Sequence, residues 1–166
     1  MHLTSIAERS YVTGSTVLWH VRDQPHVRGA VGLGDAVTIL ELSNAAVTTI
    51  AAEPGRLAWI AEDSESAQKE LWTAAMSPEL ELTEPTSLGE VETRGLPIVI
   101  GGGQVAFIAT DGDLVLRSVA DGSERRLTPE VYWGELWYIA DGHVVTGGQS
   151  SSIRRTPIGA IPLVSP

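Results

Sequence analysis

One short pattern recurs four times in this chain and constrains its fold more than any other feature: an aromatic residue in an apolar run, with aspartate four positions later. The copies are centred on Trp19, Trp59, Phe107 and Trp137, although Tyr138 is an equally good aromatic in the fourth. Each copy follows a short β-rich run that ends at a glycine turn, which is typical of a hairpin. Self-similarity at a period of about 40 residues indicates a repeat architecture.

Further strand signals follow each copy. First strands are predicted at 11–14, 47–50, 98–100 and 131–134, third strands at 27–31, 70–75, 113–118 and 143–146, and fourth strands at 37–42, 80–83, 124–128 and 152–156. Four short strands per unit of about 40 residues are typical of β-propeller blades. The predicted fold is therefore all-β and propeller-like, a single domain over 1–166 with about four four-stranded antiparallel blades. The units span about 10–42, 46–85, 97–129 and 131–157. The alternative is one antiparallel barrel of about 8–10 strands whose apparent repeats are coincidental hairpins.

The composition and charge of the chain exclude several classes of structure and partner. The chain has 166 residues, a net charge of −10 and no cysteine, with 43% hydrophobic and 19% charged residues. This balance argues against disorder, and the lack of cysteine excludes disulfides and thiolate metal sites. The negative charge repels nucleic acid and anionic membranes, so neither is an expected partner. No apolar run reaches the length of a membrane helix and no signal peptide is visible, so the default expectation is cytoplasmic, or secreted or periplasmic if a leader was removed.

The best copy resembles a known repeat. Val105-Ala106-Phe107-Ile108-Ala109, the Asp111-Gly112 turn, Leu114-Val115-Leu116, the Asp121-Gly122 turn and the final Arg126-Leu127-Thr128 follow one another in the chain. This order resembles the blade repeat of TolB-like propellers within the generic WD40-like class. The resemblance is good over 97–129, partial over 46–85 and 131–157, and faint over 10–42. It implies a fold and little chemistry.

The number of blades departs from that family. TolB-like propellers usually have six or so blades, and this chain has material for four. A four-bladed ring, a segment of a longer polypeptide, and a homo-oligomer in which two chains complete a larger ring all fit the sequence. An incomplete ring exposes sheet edges and apolar blade faces, which favours association.

A weak metal candidate lies in the first unit. His20, Asp23 and His26 supply nitrogen and oxygen ligands, but a spacing of three does not place groups on one face of a strand. A turn with surface histidines is the favoured interpretation. Asp111-Gly112-Asp113 resembles the start of a calcium loop, yet it lacks the later glutamate and matches a hairpin turn better. The sequence predicts neither a metal nor a cofactor.

The tryptophans give the best candidate binding residues. Trp19, Trp59 and Trp137 occupy equivalent positions and are predicted to pack between blades. Tyr132 and Trp133 precede Trp137 closely, beside a glycine turn, and an exposed aromatic group there suits a peptide or a sugar. We therefore predict ligand contacts from these four residues of the fourth unit: Tyr132, Trp133, Trp137 and His143.

No catalytic motif is legible. The chain has no nucleophile elbow, and the run 101–103 opens no helix and has no lysine, so it does not predict a phosphate site. The predicted function is a non-catalytic binding or scaffolding module for a protein, peptide or carbohydrate. The alternatives are a hydrolase or cyclase with a pocket inside a β cavity, and the accessory propeller of a larger hydrolase.

Overall fold

A computed structural model describes residues 9–21, 24–93, 97–127, 135–140, 143–147 and 153–157. These residues form fifteen β-strands and no helix. The strands are β1 Arg9–Thr13, β2 Thr16–His20, β3 His26–Val31, β4 Val37–Glu41, β5 Ala45–Glu53, β6 Arg56–Asp63, β7 Lys69–Met76, β8 Leu82–Glu90, β9 Val99–Gly101, β10 Gln104–Ile108, β11 Leu114–Ser118, β12 Glu124–Leu127, β13 Glu135–Ala140, β14 His143–Gly147 and β15 Ile153–Pro157. Among these residues, then, no helix is present that could cross a membrane.

The strands form four antiparallel sheets in chain order. Sheet 1 contains β1 to β4, sheet 2 contains β5 to β8 and sheet 3 contains β9 to β12, while sheet 4 contains β13 to β15. Within each sheet every strand pairs with its neighbours in sequence, so each sheet is a meander joined by short turns. This confirms the predicted all-β, propeller-like fold of about four antiparallel blades. The predicted first strand of the fourth unit, 131–134, lies outside the described residues.

Turn residues explain where the strands reverse. Gly102 and Gly103 separate β9 from β10 with φ values of 58° and 76°, a left-handed backbone that glycine adopts at no steric cost. In the Asp111-Gly112 turn, the Asp111 carboxylate accepts a hydrogen bond from the Asp113 amide at 3.0 Å. Asp111-Gly112-Asp113 is therefore a hairpin turn, as the sequence predicts.

The fourth strand of sheet 2 is longer than the sequence predicts. We predict a strand at 80–83, because Leu82-Thr83 before Pro85 resembles the end of the other units, but β8 runs from Leu82 to Glu90. β8 is the outer strand of sheet 2 and pairs only with β7, through two register shifts. A proline is tolerated on such an edge strand. The extension brings Glu90 beside the start of β7, where it pairs with Glu70.

Three apolar cores separate consecutive sheets. Leu18 and Val27 of sheet 1 pack with Leu57 and Trp59 of sheet 2. A second core joins the opposite face of sheet 2 to sheet 3, and a third joins sheet 3 to Val144 of sheet 4. Alternate residues of one strand enter different cores, because successive side chains of a strand point to opposite faces. Consecutive sheets therefore pack face to face, as blades do in a propeller.

Sheets 3 and 4 approach each other closely at one glycine. A Cβ atom added to Gly101 would lie 2.7 Å from the carbonyl oxygen of Ile139 and 2.9 Å from its Cβ. Any side chain at this position would force the two sheets apart. Gly101 is thus required for packing between β9 and β13, rather than for a turn.

Candidate functional site

A groove of about 520 Å³ opens where the link between sheets 1 and 2 passes the β6–β7 hairpin. The link is held against the hairpin by Ser64, whose hydroxyl donates to the carbonyl oxygen of Asn44 at 2.9 Å. The described residues that line the groove are Leu42, Ser43, Asn44, Ala45, Ala61, Asp63, Ser66, Gln68, Glu70, Trp72 and Glu90. They come from the link between sheets 1 and 2 and from all four strands of sheet 2 or their turns.

Strand register gathers the principal side chains on one face of sheet 2. Ala61 of β6 pairs with Glu70 of β7, and Glu70 pairs in turn with Glu90 of β8. Trp72 lies two residues after Glu70, so its side chain is on the same face. This face packs on sheet 1 further along the strands, where Trp59 is buried. The groove is therefore the open end of the interface between sheets 1 and 2.

Trp72 forms a fixed wall of the groove. Its ring stacks on the buried Trp59, with centroids 6.3 Å apart and an angle of 12° between the planes. Its indole N–H donates a hydrogen bond to Glu70 Oε2 at 3.0 Å, and the Ser87 hydroxyl donates to Glu70 Oε1. Each oxygen of the Glu70 carboxylate thus accepts a hydrogen bond. The Trp72 indole is fixed by the stacking of its ring on Trp59 and by the hydrogen bond from its nitrogen. The tryptophan and the carboxylate are preorganised as a pair.

The hairpin turn holds a second carboxylate. Asp63 Oδ1 accepts hydrogen bonds from the amides of Glu65 and Ser66, at 3.0 and 2.8 Å, and from the Ser66 hydroxyl at 2.9 Å. The bond from the Ser66 amide is the largest cause of a lowered pKa for Asp63, followed by the bonds from the Ser66 hydroxyl and the Glu65 amide. Asp63 therefore stays ionised at neutral pH. Its second oxygen, Oδ2, accepts no hydrogen bond from the described residues and remains available.

A third carboxylate completes the acidic lining. Glu90 Oε1 accepts a hydrogen bond from the side-chain amide of Gln68. The lining thus contains three carboxylates, and no lysine or arginine is among the described residues that line it. The nearby Lys69 lies on the other face of the hairpin, where its ammonium group is 3.4 Å from the Glu62 carboxylate. The groove combines concentrated negative charge with an aromatic wall.

This combination suits a cationic group. Carboxylates bind guanidinium and ammonium groups through charge-assisted hydrogen bonds, and an indole attracts cations to its ring face. Within the described part of the chain, no group of three or more histidine, cysteine, aspartate or glutamate residues has the arrangement of a metal site. The groove thus offers carboxylate oxygens and an aromatic ring face side by side.

The structure only partly describes the predicted aromatic site. Tyr132 and Trp133 lie outside the described residues. Trp137 is in β13 and His143 begins β14, which pairs with β13 in sheet 4. Contacts of a ligand with these four residues remain a prediction. The groove lies in a different sheet, and no sequence pattern predicted it.

The structure places His20 and His26 on opposite faces of sheet 1. His20 pairs with Val27 and is buried on the side of sheet 2, whereas His26, one residue before Val27, points to the other side. Asp23 lies outside the described residues. The favoured interpretation at these positions, a turn with surface histidines, is wrong for His20, which is only 2% exposed. Its neighbour Leu18 belongs to the core that covers this face.

Among the repeat-equivalent aromatics, the prediction of packing between sheets is confirmed for Trp59, whereas Trp19 packs between no two of the described sheets. Trp59 lies between sheets 1 and 2, and Phe107 lies between sheets 2 and 3. Trp19 is on the corresponding face of sheet 1 and is only partly buried. The side chain of Trp137 lies outside the described part of the structure.

Comparisons with known proteins give the fold and no family. No protein-family model matches the chain, and no curated protein matches its sequence. A structure described as a nidogen/laminin complex is similar, with a TM-score of 0.60 and 12% identity over 87% of this chain and 56% of that one. The computationally designed Ika4 protein has a TM-score of 0.60 and 14% identity over 95% of this chain and 94% of that one.

A third similar structure is a protein of unknown function from Bacteroides thetaiotaomicron, with a TM-score of 0.52 and 14% identity over 86% of this chain and 38% of that one. This chain therefore spans about half of the nidogen/laminin chain and less of the Bacteroides protein. These neighbours support a propeller-like fold. Membership of the TolB-like or WD40-like families remains a prediction.

Proposed function

We propose that this chain is a non-catalytic, propeller-like binding module whose groove takes a basic side chain of a peptide or protein. The observation that carries the proposal is the wall formed by Trp72 with Glu70, beside the carboxylates of Asp63 and Glu90. A guanidinium group lying on this wall meets an aromatic ring and carboxylate oxygens at once.

The charge of the lining favours a basic peptide over a carbohydrate. A sugar hydroxyl needs both donors and acceptors from its site, and the amide of Gln68 is already bonded to Glu90. Sugar hydroxyls can donate to the three carboxylates, but a neutral sugar gains nothing from their negative potential, whereas a cation does. The net charge of −10 adds long-range attraction for a basic partner.

The experiment compares two capped peptides that differ only in the charge of their two arginine positions. A tetrapeptide with two arginines is titrated into the chain and followed by calorimetry and tryptophan fluorescence. The same peptide with citrulline in place of arginine keeps the shape and loses the charge. We expect binding of the arginine peptide to be at least about tenfold tighter and to weaken as salt is raised.

Two variants locate the binding. Glu70→Gln removes the charge but keeps an acceptor for the Trp72 indole, so it should weaken arginine binding about tenfold without loss of folding. Glu62→Gln is the matched control, because Glu62 is on the same hairpin but on the opposite face. Equal binding of the arginine and citrulline peptides, or equal loss in both variants, would contradict the proposal. If the methyl glycoside of a disaccharide bound more tightly than the arginine peptide, the groove would be a carbohydrate site instead.

A further inference from the structure

Sheet 1 has one buried face and one open face. We define the open face by Val12 of β1, Val17 and Trp19 of β2, and Arg28 and Ala30 of β3, which the strand register places side by side. Val12 is 72% exposed, Arg28 is exposed, and the other three are only partly buried. The opposite face carries Leu18 and Val27, both fully buried against sheet 2.

The corresponding faces of sheets 2 and 3 are covered. Trp59 of sheet 2 is equivalent to Trp19 and is buried against sheet 1, and Phe107 of sheet 3 is buried against sheet 2. Each of these aromatic faces is covered by the sheet that precedes it in the chain. The open face has the same kind of aromatic and apolar residues, but the described residues contain no preceding sheet.

We propose that the open face docks a second copy of this chain, whose last sheet covers it as the preceding sheet covers the equivalent faces of sheets 2 and 3. The proposal extends an interface that the chain already makes three times, between sheets 1 and 2, 2 and 3, and 3 and 4. Sheet 4 of the same chain packs on sheet 3 through Ile139 and Val144. None of its described strands packs substantially on a strand of sheet 1.

The assembly is closed when each of two copies docks its last sheet on the open face of the other. The first sheet of each copy then covers the last sheet of the other, which gives a two-fold assembly of eight sheets if both interfaces form. The contact also removes an apolar sheet face from water, the usual driving force for association. This assembly is independent of ligand binding in the groove, which lies between sheets 1 and 2.

The experiment measures the mass of the chain in solution by light scattering over a range of concentrations. The expected result is a species of two or more copies. Val12→Glu places a charge on the open face, in the outer strand β1, and should raise the dissociation constant at least about tenfold. Arg28→Glu is a second variant, because Arg28 is exposed and its replacement removes no buried packing.

The control is Leu33→Glu, which changes an even more exposed apolar residue in the β3–β4 turn, outside the open face. It should leave the mass unchanged, and circular dichroism should show the same β content in all four proteins. A single-copy mass for the unaltered chain at high micromolar concentration would overturn the proposal. An assembly that survives both Val12→Glu and Arg28→Glu would also overturn it.

Discussion

Neighbouring residues of β2 in sheet 1 differ in burial, whereas neighbouring residues of β10 in sheet 3 do not. In β2 the buried Leu18 is flanked by the partly exposed Val17 and Trp19. In β10 every residue from Val105 to Ile108 is buried. A strand with one covered face alternates, and a strand between two sheets has a continuous apolar run. The difference shows that sheet 3 has two packing neighbours and that sheet 1 has one within the described structure.

The largest expected effect is at the two-sided sheet. Phe107→Ala should lower the free energy of unfolding by about 3–5 kcal/mol, because it leaves a cavity between sheets 2 and 3. The ring also supports the guanidinium of Arg117, which lies 5.5 Å from its centroid and donates to the carbonyl oxygens of Leu88 and Glu90. Urea unfolding provides the measurement. A loss below about 1 kcal/mol would show that this interface is not a close-packed core.

The direct test of the comparison uses adjacent residues of β2. Leu18→Ala should cost about 2–5 kcal/mol, and Val17→Ala should cost less than about 1 kcal/mol, since Val17 is on the open face. Both are measured by urea unfolding in a chain that also carries Arg28→Glu, so that docking of a second copy does not contribute. Equal losses would mean that both faces of sheet 1 are covered within one chain.

The contact between sheets 3 and 4 gives a smaller effect. Gly101→Ala should destabilise the chain by about 1–3 kcal/mol, because the new methyl group meets the backbone of Ile139. Urea unfolding measures the loss, and tryptophan fluorescence reports any movement of sheet 4. Glu92→Ala, an exposed change nearby in the chain, serves as the control and should stay within about 0.5 kcal/mol. An unchanged free energy of unfolding in Gly101→Ala would show that β9 and β13 are not this close together.

The smallest expected effect is the loss of stability at low pH that comes from a turn of sheet 3. Hydrogen bonds from the side chains of Ser123 and Ser118 lower the pKa of Asp121 to about 2, from 3.8. Because the folded pKa is depressed, its stabilisation is complete above pH 3.8 and is lost as the pH falls through about 2. Asp121→Asn should therefore lower the urea midpoint at pH 6 and converge with the unaltered chain near pH 2. A constant difference at all pH values would contradict this account.

Acid acts on the same sheet through Glu124. Burial is the largest influence on its pKa and raises it, but hydrogen bonds from Arg117 and Arg126 together with their positive charges outweigh burial and lower the pKa below 4.5. Its contribution to stability is likewise present at neutral pH and lost in acid. Within the described residues, the acid-sensitive contacts of sheet 3 thus lie in its turns and outer strand rather than in its cores.

Much of the fold could be predicted from the sequence, because each repeat and each turn is encoded by residues that are close together in the chain. The spacing of Trp59 and Phe107 predicts two equivalent strands, and both have the predicted position and packing. Each Asp-Gly pair fixes a turn through its own backbone preferences. The end of β8 was predicted wrongly, because a Leu-Thr pair shortly before a proline does not show whether its strand is at an edge, where a proline is tolerated.

The groove was not predictable in the same way. Glu70 and Trp72 alternate along β7, which indicates a shared face, but Glu90 reaches them only through the register of β8. Asn44 comes from the link to another sheet. A site built from a strand, an extended edge and an inter-sheet link depends on tertiary packing, and no spacing in the sequence records it. Single tryptophans outside the repeat position, such as Trp72, are the one signal that was available.

Tyr11 ties the first strand to a part of the chain 87 residues later. Its ring packs on the cores on both sides of sheet 2, and its hydroxyl donates to the carbonyl oxygen of Ile98 at 3.5 Å. In a strictly repetitive array each unit interacts only with the next, so that end units fray separately. A side chain that spans three consecutive units opposes such fraying. Sheets 1 to 3 should therefore exchange their amide protons as one cooperative unit, and Tyr11→Phe should loosen the first before the others.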